Sequence, residues 1–274
     1  MSVLVAEVRK VPAFMRRDLL VMLSYRVAFV SDVVAIALQA AMFGFVAKLV
    51  DPARLPAYGG EATGYFEFVM VGVVITTVSG LLLQRVATAI RHEQMIGTLE
   101  ALFASPTSPT TVQLGSVAFD LLFIPIRTAA LLMLVSVTVG LSFESGGVLP
   151  GLLLLGAFVP FVWGLGLMTA AAILTFRRGT GALAAVMGIL GLASGAFFPL
   201  ALLPAWLQRL AEANPVAIAM EGTREALIGG PQWGSVVGDV LVLLPLSSCA
   251  MLAGVAAFRL ALAREHRRGT LGLY

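Results

Sequence analysis

Few residues in this chain could carry covalent chemistry, and their placement argues against it. Ser194-Gly195 puts a hydroxyl inside an apolar run, but a serine nucleophile needs a neighbouring base. The only histidines, His92 and His266, fall in polar segments outside the apolar runs. Cys249 is the single cysteine, so it forms no intrachain disulfide and cannot hold a metal alone. A phosphate-binding loop needs Gly-Lys followed by Ser or Thr, because the lysine must reach the nucleotide phosphates. The only lysines, Lys10 and Lys48, follow Arg9 and Ala47. No catalytic residue, metal site or nucleotide cofactor is therefore expected on this chain. The remaining chemistry is charge in or near apolar sequence: Asp32, Glu67, Asp120, Arg127 and Asp239. Asp120 and Arg127 are two helical turns apart on one face and could pair; a structural pair and a substrate contact both remain open.

The elements that would position these groups follow from composition. The 274 residues are 59% hydrophobic and 12% charged, whereas soluble domains carry about 25% charge. Apolar runs cover 27–50, 64–88, 112–140, 149–175, 180–200 and 236–260, each near or above the roughly twenty residues that cross a bilayer as a helix. The expected fold class is an all-α integral membrane protein with six transmembrane helices, a single transmembrane domain over 1–274. With the N-terminus inside, thirteen of the eighteen cations lie on inner segments, and Lys48, Arg54, Arg209 and Arg224 lie outside. That asymmetry places both ends in the cytoplasm. The net charge of +3 then reads as topology and contact with anionic lipid, and nucleic acid is not an expected partner. Tyr25, Tyr58, Tyr65, Trp206 and Trp233 fall near predicted interfaces, as an aromatic belt requires. Within 1–26, Val8, Val11, Phe14, Met15, Leu19, Met22 and Leu23 alternate with Arg9, Lys10, Arg16 and Arg17 at helical spacing. This predicts an amphipathic helix lying on the inner face, with Pro12 near its start; a basic leader that only sets orientation is the alternative.

The segment 91–106, between the second and third runs, mixes charge and apolarity at helical spacing. Met95, Leu99 and Leu102 form one face, and Ser105-Pro106 ends the helix. Physical reasoning leaves two readings open, a docking surface or a plain connecting loop. The pattern Glu93-x-x-x-Gly97-Thr98-Leu99-Glu100-x-Leu102-x-x-Ser105-Pro106 resembles the coupling-helix signature of type-2 ABC exporter permeases, the membrane subunits that pair with a separate ATPase. The run Phe198-Pro199, Leu203-Pro204-Ala-Trp206, Asn214-Pro215, Glu221 and Arg224 is similar to that family's outer re-entrant hairpin, here 201–235, between spans five and six.

The resemblance implies that Glu93, Gly97, Thr98, Leu99, Glu100, Leu102, Ser105 and Pro106 bind the partner ATPase. ATP and Mg would sit on that partner, present in two copies, and a second permease protomer would complete a homodimer. It also places the dimer contact along spans one and five. There Gly191 and Gly195 have the small-xxx-small spacing that lets helices approach. Phe197, Phe198 and Pro199, at the outer end of span five, could gate a substrate or simply pack. The resemblance implies a permease that moves an amphiphilic or hydrophobic substrate (drug, lipid or lipid-linked glycan) outward across the cytoplasmic membrane. Two rival classes are an ion-coupled secondary transporter working without an ATPase, and an intramembrane serine protease, which lacks a base here.

Overall fold

The computed structural model describes residues 11–24, 26–51, 55–58, 64–96, 118–119, 123, 144–176, 185, 188, 191, 194–230 and 232–268. The described residues are all-helical, without a strand. Helix α1 spans Val11–Ser24, α2 Arg26–Ala47, α3 Tyr65–Ile96, α4 Val148–Phe176, α5 Ala205–Glu212, α6 Pro215–Ile228 and α7 Trp233–Arg268. Tyr65–Thr88, Ser145–Phe176 and Trp233–Arg264 are each long and apolar enough to cross a membrane, and Ala37–Ala47 adds a shorter apolar stretch. These coincide with four of the six expected runs. Most of the runs 112–140 and 180–200, and with them Asp120 and Arg127, lie outside the described residues.

Sequence accounts for these helices and their ends. Asn214 caps α6, its side-chain oxygen accepting from the Val216 N–H at 3.0 Å, and Pro215 occupies the first helical position, where no N–H is needed. Gly230, at φ 87°, turns the chain away at the other end. Helix α5 begins directly after Pro204. Gln208 folds back from it and donates to the carbonyls of Ala201 and Leu203 at 3.0 and 2.7 Å. The expected helical pieces of 201–235 are thus present, bounded at Pro204 and Pro215. In α1, Pro12 lies in the first turn, Arg16 and Arg17 are exposed, and Arg17 pairs with Asp18 at 2.9 Å.

The core is a bundle of α3, α4, α6 and α7, with Leu82, Leu83, Leu154, Met220 and Leu243 almost wholly buried. Glycine sets its closest crossings. A Cβ at Gly164 of α4 would fall on the Ala250 carbonyl of α7 and 2.6 Å from the Met251 nitrogen. Gly254 meets the same crossing from the other side, its Cβ 2.8 Å from the Gly164 Cα. Without side chains at these points the backbones approach as membrane helices do, where close packing replaces the hydrophobic drive available in water.

Contacts also fix direction. Leu154 of α4 and Asp239 of α7 both reach Gly222, while ten residues further along α4 and eleven along α7 Gly164 meets Ala250. The two helices therefore run the same way. Helix α3 joins them in that sense, with Phe68 beside Arg224 of α6 and Val86 against Gly166. Helix α2 approaches from the opposite direction, its late residue Gly44 facing the Phe66 ring near the start of α3, 3.5 Å from where a Cβ would stand. Pro160 and Pro245 stand inside α4 and α7. By the same register they lie at the same height.

Candidate functional site

Helix α6 presents a face of small and apolar residues to the bundle, and one arginine among them. Arg224 is 1% exposed, the largest fully buried side chain of the described residues. A buried guanidinium must find an acceptor for each donor or lose several kcal/mol, on the order of 3–5. Its Nε donates to the Phe68 carbonyl at 3.1 Å, and its Nη2 donates to the carbonyls of Gly195 and Ala196 at 3.0 and 2.9 Å. The guanidinium carbon lies 3.6 Å from the centre of the Phe68 ring, a cation–π contact worth about 2 kcal/mol once water is excluded. Nη1 faces Glu221 Oε2 across a longer 3.5 Å gap.

Glu221 is the polar end of this group, with 47% of its side chain exposed. The Tyr58 hydroxyl donates to its Oε1 at 2.6 Å. Burial, and then the neighbouring Glu221 charge, push the Tyr58 phenol above its ordinary range, so it stays a neutral donor. One turn on, Glu225 accepts from Ser235 Oγ at 3.1 Å, and Gly222 leaves room for the Asp239 carboxylate, which a Cβ would meet at 2.6 Å.

The carbonyls that Arg224 holds belong to an irregular stretch. After Gly191, still helical, the chain turns at Ser194–Pro199. Ser194 Oγ donates to the Gly191 carbonyl at 2.8 Å and accepts from Ala196 N–H at 3.2 Å. Gly195 sits at φ +67°, where side chains are strained, and a Cβ there would lie 2.9 Å from Leu200. Tyr65 donates to the Phe197 carbonyl at 3.0 Å. Three successive carbonyls, at 195, 196 and 197, thus accept from side chains of α6 and α3. Gly72 of α3 makes room for this stretch, since a Cβ there would fall on the Ala196 carbonyl.

Several expected residues have a place in this arrangement. Phe197 stacks on Phe43 of α2 with ring centres 5.5 Å apart and planes 12° apart. Pro199 is buried beside half-buried Phe198. Gly191 lies on a helix and its Cβ direction is open. Gly195 has left the helix, so the Gly191–Gly195 spacing does not define one helical face: a left-handed residue cannot continue the helical register. Glu93 belongs to α3, which runs unbroken through residues 91–96. Gly97, Thr98, Leu99, Glu100, Leu102, Ser105 and Pro106 lie outside the described residues.

The sequence reading gives Arg224 only an outer segment and Tyr58 only a place near an interface; that both are buried, at 1% and 7% exposed, is new from the fold. The available signal was Glu221-x-x-Arg224, an i,i+3 pair in a helix otherwise rich in Ala, Val, Met and Leu.

A model of the ABC-2 type transporter family matches residues 9–228. No curated protein matches the chain.

Proposed function

The chain belongs to the ABC-2 type transporter family, and from that premise we propose that it is the permease subunit of an ATP-driven exporter, powered by a separate ATPase. It is a multi-pass membrane protein and a transport subunit, and permease domains of this family work with an ABC ATPase partner. The finer reading is six spans with both ends in the cytoplasm, α1 flat on the inner surface, and α5 and α6 as an outer re-entrant hairpin. Its support is directional. Helices α3, α4 and α7 run the same way, so the chain must return between them, and 97–143 and 177–193 contain the apolar runs that would do so. Helix α2 supplies the opposite-running first span.

One observation carries the mechanism. Helix α3 is continuous for 32 residues from Tyr65 to Ile96, about 48 Å at 1.5 Å per residue. It touches the Arg224 group at one end and leads directly into the proposed ATPase-docking segment at the other. In this reading ATPase closure pushes on Glu93, Gly97, Thr98, Leu99, Glu100, Leu102, Ser105 and Pro106, and α3 carries the push as a rigid body to Phe197, Phe198 and Pro199. The open face of α3 carries Thr77, Gly80, Gln84 and Thr88 at helical spacing. Such a face suits an amphiphilic substrate such as a drug or lipid. A second protomer would contribute the other half of the pathway, meeting this one along spans one and five beside Gly191.

The test is purification from native membranes followed by ATPase and transport assays. The expected result is a particle of two permeases and two ATPases that accumulates rhodamine 6G in inside-out vesicles only with ATP and Mg. Gly97→Pro or Glu100→Lys should uncouple it. Full transport by an ATPase-free preparation would instead identify an ion-coupled secondary transporter.

A further inference from the structure

The turn at 194–199 ends a run apolar enough to cross a membrane, and where it borders lipid its backbone polar groups must be satisfied by protein. Side chains do this, not a backbone ladder. Arg224 takes the carbonyls of Gly195 and Ala196, and Tyr65 takes that of Phe197. Bonds from two different helices, α6 and α3, hold the turn, so a shift of α6 against α3 breaks the Arg224 bonds while Tyr65 and the Gly72 seat can keep the turn on α3. A second acceptor already waits for the guanidinium. Glu221 Oε2 stands 3.5 Å from Nη1, half in water, and Tyr58 fixes the carboxylate through its other oxygen at 2.6 Å. Releasing the turn therefore need not strand a buried charge, because a closer pair with Glu221 would offset the lost carbonyls. The turn also carries Phe197, stacked on Phe43, so its release separates α2 from the turn, and the gap between them is the mouth of the proposed pathway.

We propose that Arg224 is a positioning residue of the outer gate: it clasps the Gly195 and Ala196 carbonyls while the mouth is closed and passes to Glu221 when the mouth opens. The proposal rests on the permease reading above and adds the element that moves. Gly72 belongs to the same device, since only a residue without a side chain lets the Ala196 carbonyl seat on α3.

The experiment uses the permease with its co-purified ATPase in proteoliposomes, with Cys249→Ser removing the native thiol and Phe198→Cys as reporter. A membrane-impermeant maleimide applied outside reads exposure of the mouth. Labelling should be slow at rest and rise with ATP. Arg224→Lys, unable to hold two carbonyls and Phe68 together, should raise resting labelling at least about tenfold, the shift that loss of a hydrogen bond to a charged group produces. Glu221→Gln, which leaves the clasp but removes the charge that receives it, should keep resting labelling low and suppress the ATP-driven rise. Linking Phe43→Cys to Phe197→Cys with a short, reducible bifunctional thiol reagent should block the ATP-driven rise until reductant is added. Folded Arg224→Lys protein with parental labelling, or a linked pair that still opens, overturns the proposal. Should Arg224→Lys fail to fold, Glu221→Gln and the linked pair still decide it. If ATP changes nothing in the parent while Arg224→Lys opens the mouth, the clasp stands and the ATP-driven reading falls.

Discussion

Replacing Gly164 with alanine tests the claim that backbone proximity between α4 and α7 holds the bundle together. The added Cβ would stand 2.6 Å from the Met251 nitrogen and closer still to the Ala250 carbonyl, whereas comfortable carbon contacts lie at about 3.5–4.0 Å. These are backbone atoms of a long helix, so no side chain can swing aside. The helices must separate by about 1 Å, and a gap of that size forfeits a quarter to a half of each neighbouring dispersion contact. Overpacking of this kind costs about 1–3 kcal/mol, and the long shared interface puts the expectation at the upper end. At roughly 2–4 °C per kcal/mol for a chain of this size, the melting temperature should fall by about 5–10 °C. Gly254→Ala strikes the same crossing, its Cβ 2.8 Å from the Gly164 Cα. Helices already pushed apart admit the second methyl cheaply, so the double variant should lose much less than the sum of the singles. Gly156→Ala is the control: it lies on α4 but meets nothing within 4 Å, and alanine should be neutral or stabilising by up to about 1 kcal/mol. Thermal unfolding in detergent, followed by intrinsic fluorescence, reads the parent and all four variants. A Gly164→Ala variant as stable as the parent, or strictly additive losses in the pair, would refute the close-crossing argument.

Other outcomes follow from single groups. Asn214→Ala removes the cap on α6 and should lower stability by about 1 kcal/mol, with Asn214→Asp retaining most of it. Ser247 Oγ is fully buried and finds no hydrogen-bond partner among the described residues, so Ser247→Ala should be neutral or stabilising by up to about 1 kcal/mol in the same melts. The Tyr58 phenol is raised in the folded protein by burial and the Glu221 charge. Its contribution is therefore complete below the ordinary tyrosine pKa of about 10 and declines above it, by at most about 1.4 kcal/mol per pH unit. Melts between neutral pH and pH 11 should show that decline in the parent and a smaller one in Tyr58→Phe.

The sequence shows much of the frame because membrane insertion is a matter of composition over twenty residues. Runs near 64–88, 149–175 and 236–260 match the three membrane-length helices to within a turn at most ends, apart from the C-terminal extensions of α3 and α7. Pro204 and Pro215, prolines that break a helical pattern, stand just before α5 and at the first position of α6, where a missing N–H costs least. Individual side chains were less legible. Arg224 and Tyr58 are polar by type, and charge asymmetry places them only by side and depth, not by burial. Their burial depends on Phe68, Gly195 and Ala196, distant in sequence and brought close only by packing. Gly195 fitted a four-residue spacing on paper, but φ is a property of the folded chain. The pattern of small residues could not distinguish a helix face from the turn that ends one.

Pro160 and Pro245, set at equal height in adjacent helices, have a consequence for how this bundle deforms. Each withholds one backbone donor from the turn before it, so the helix is weakest there. One such joint would only bend a rod. Two joints abreast, in helices that run the same way and lock together at Gly164 and Gly254 just beyond them, act like a double hinge on a door. On the proposal above, a tilt of the first halves of α4 and α7 about these joints would carry α6 and Arg224 away from the turn while the glycine crossing keeps its packing.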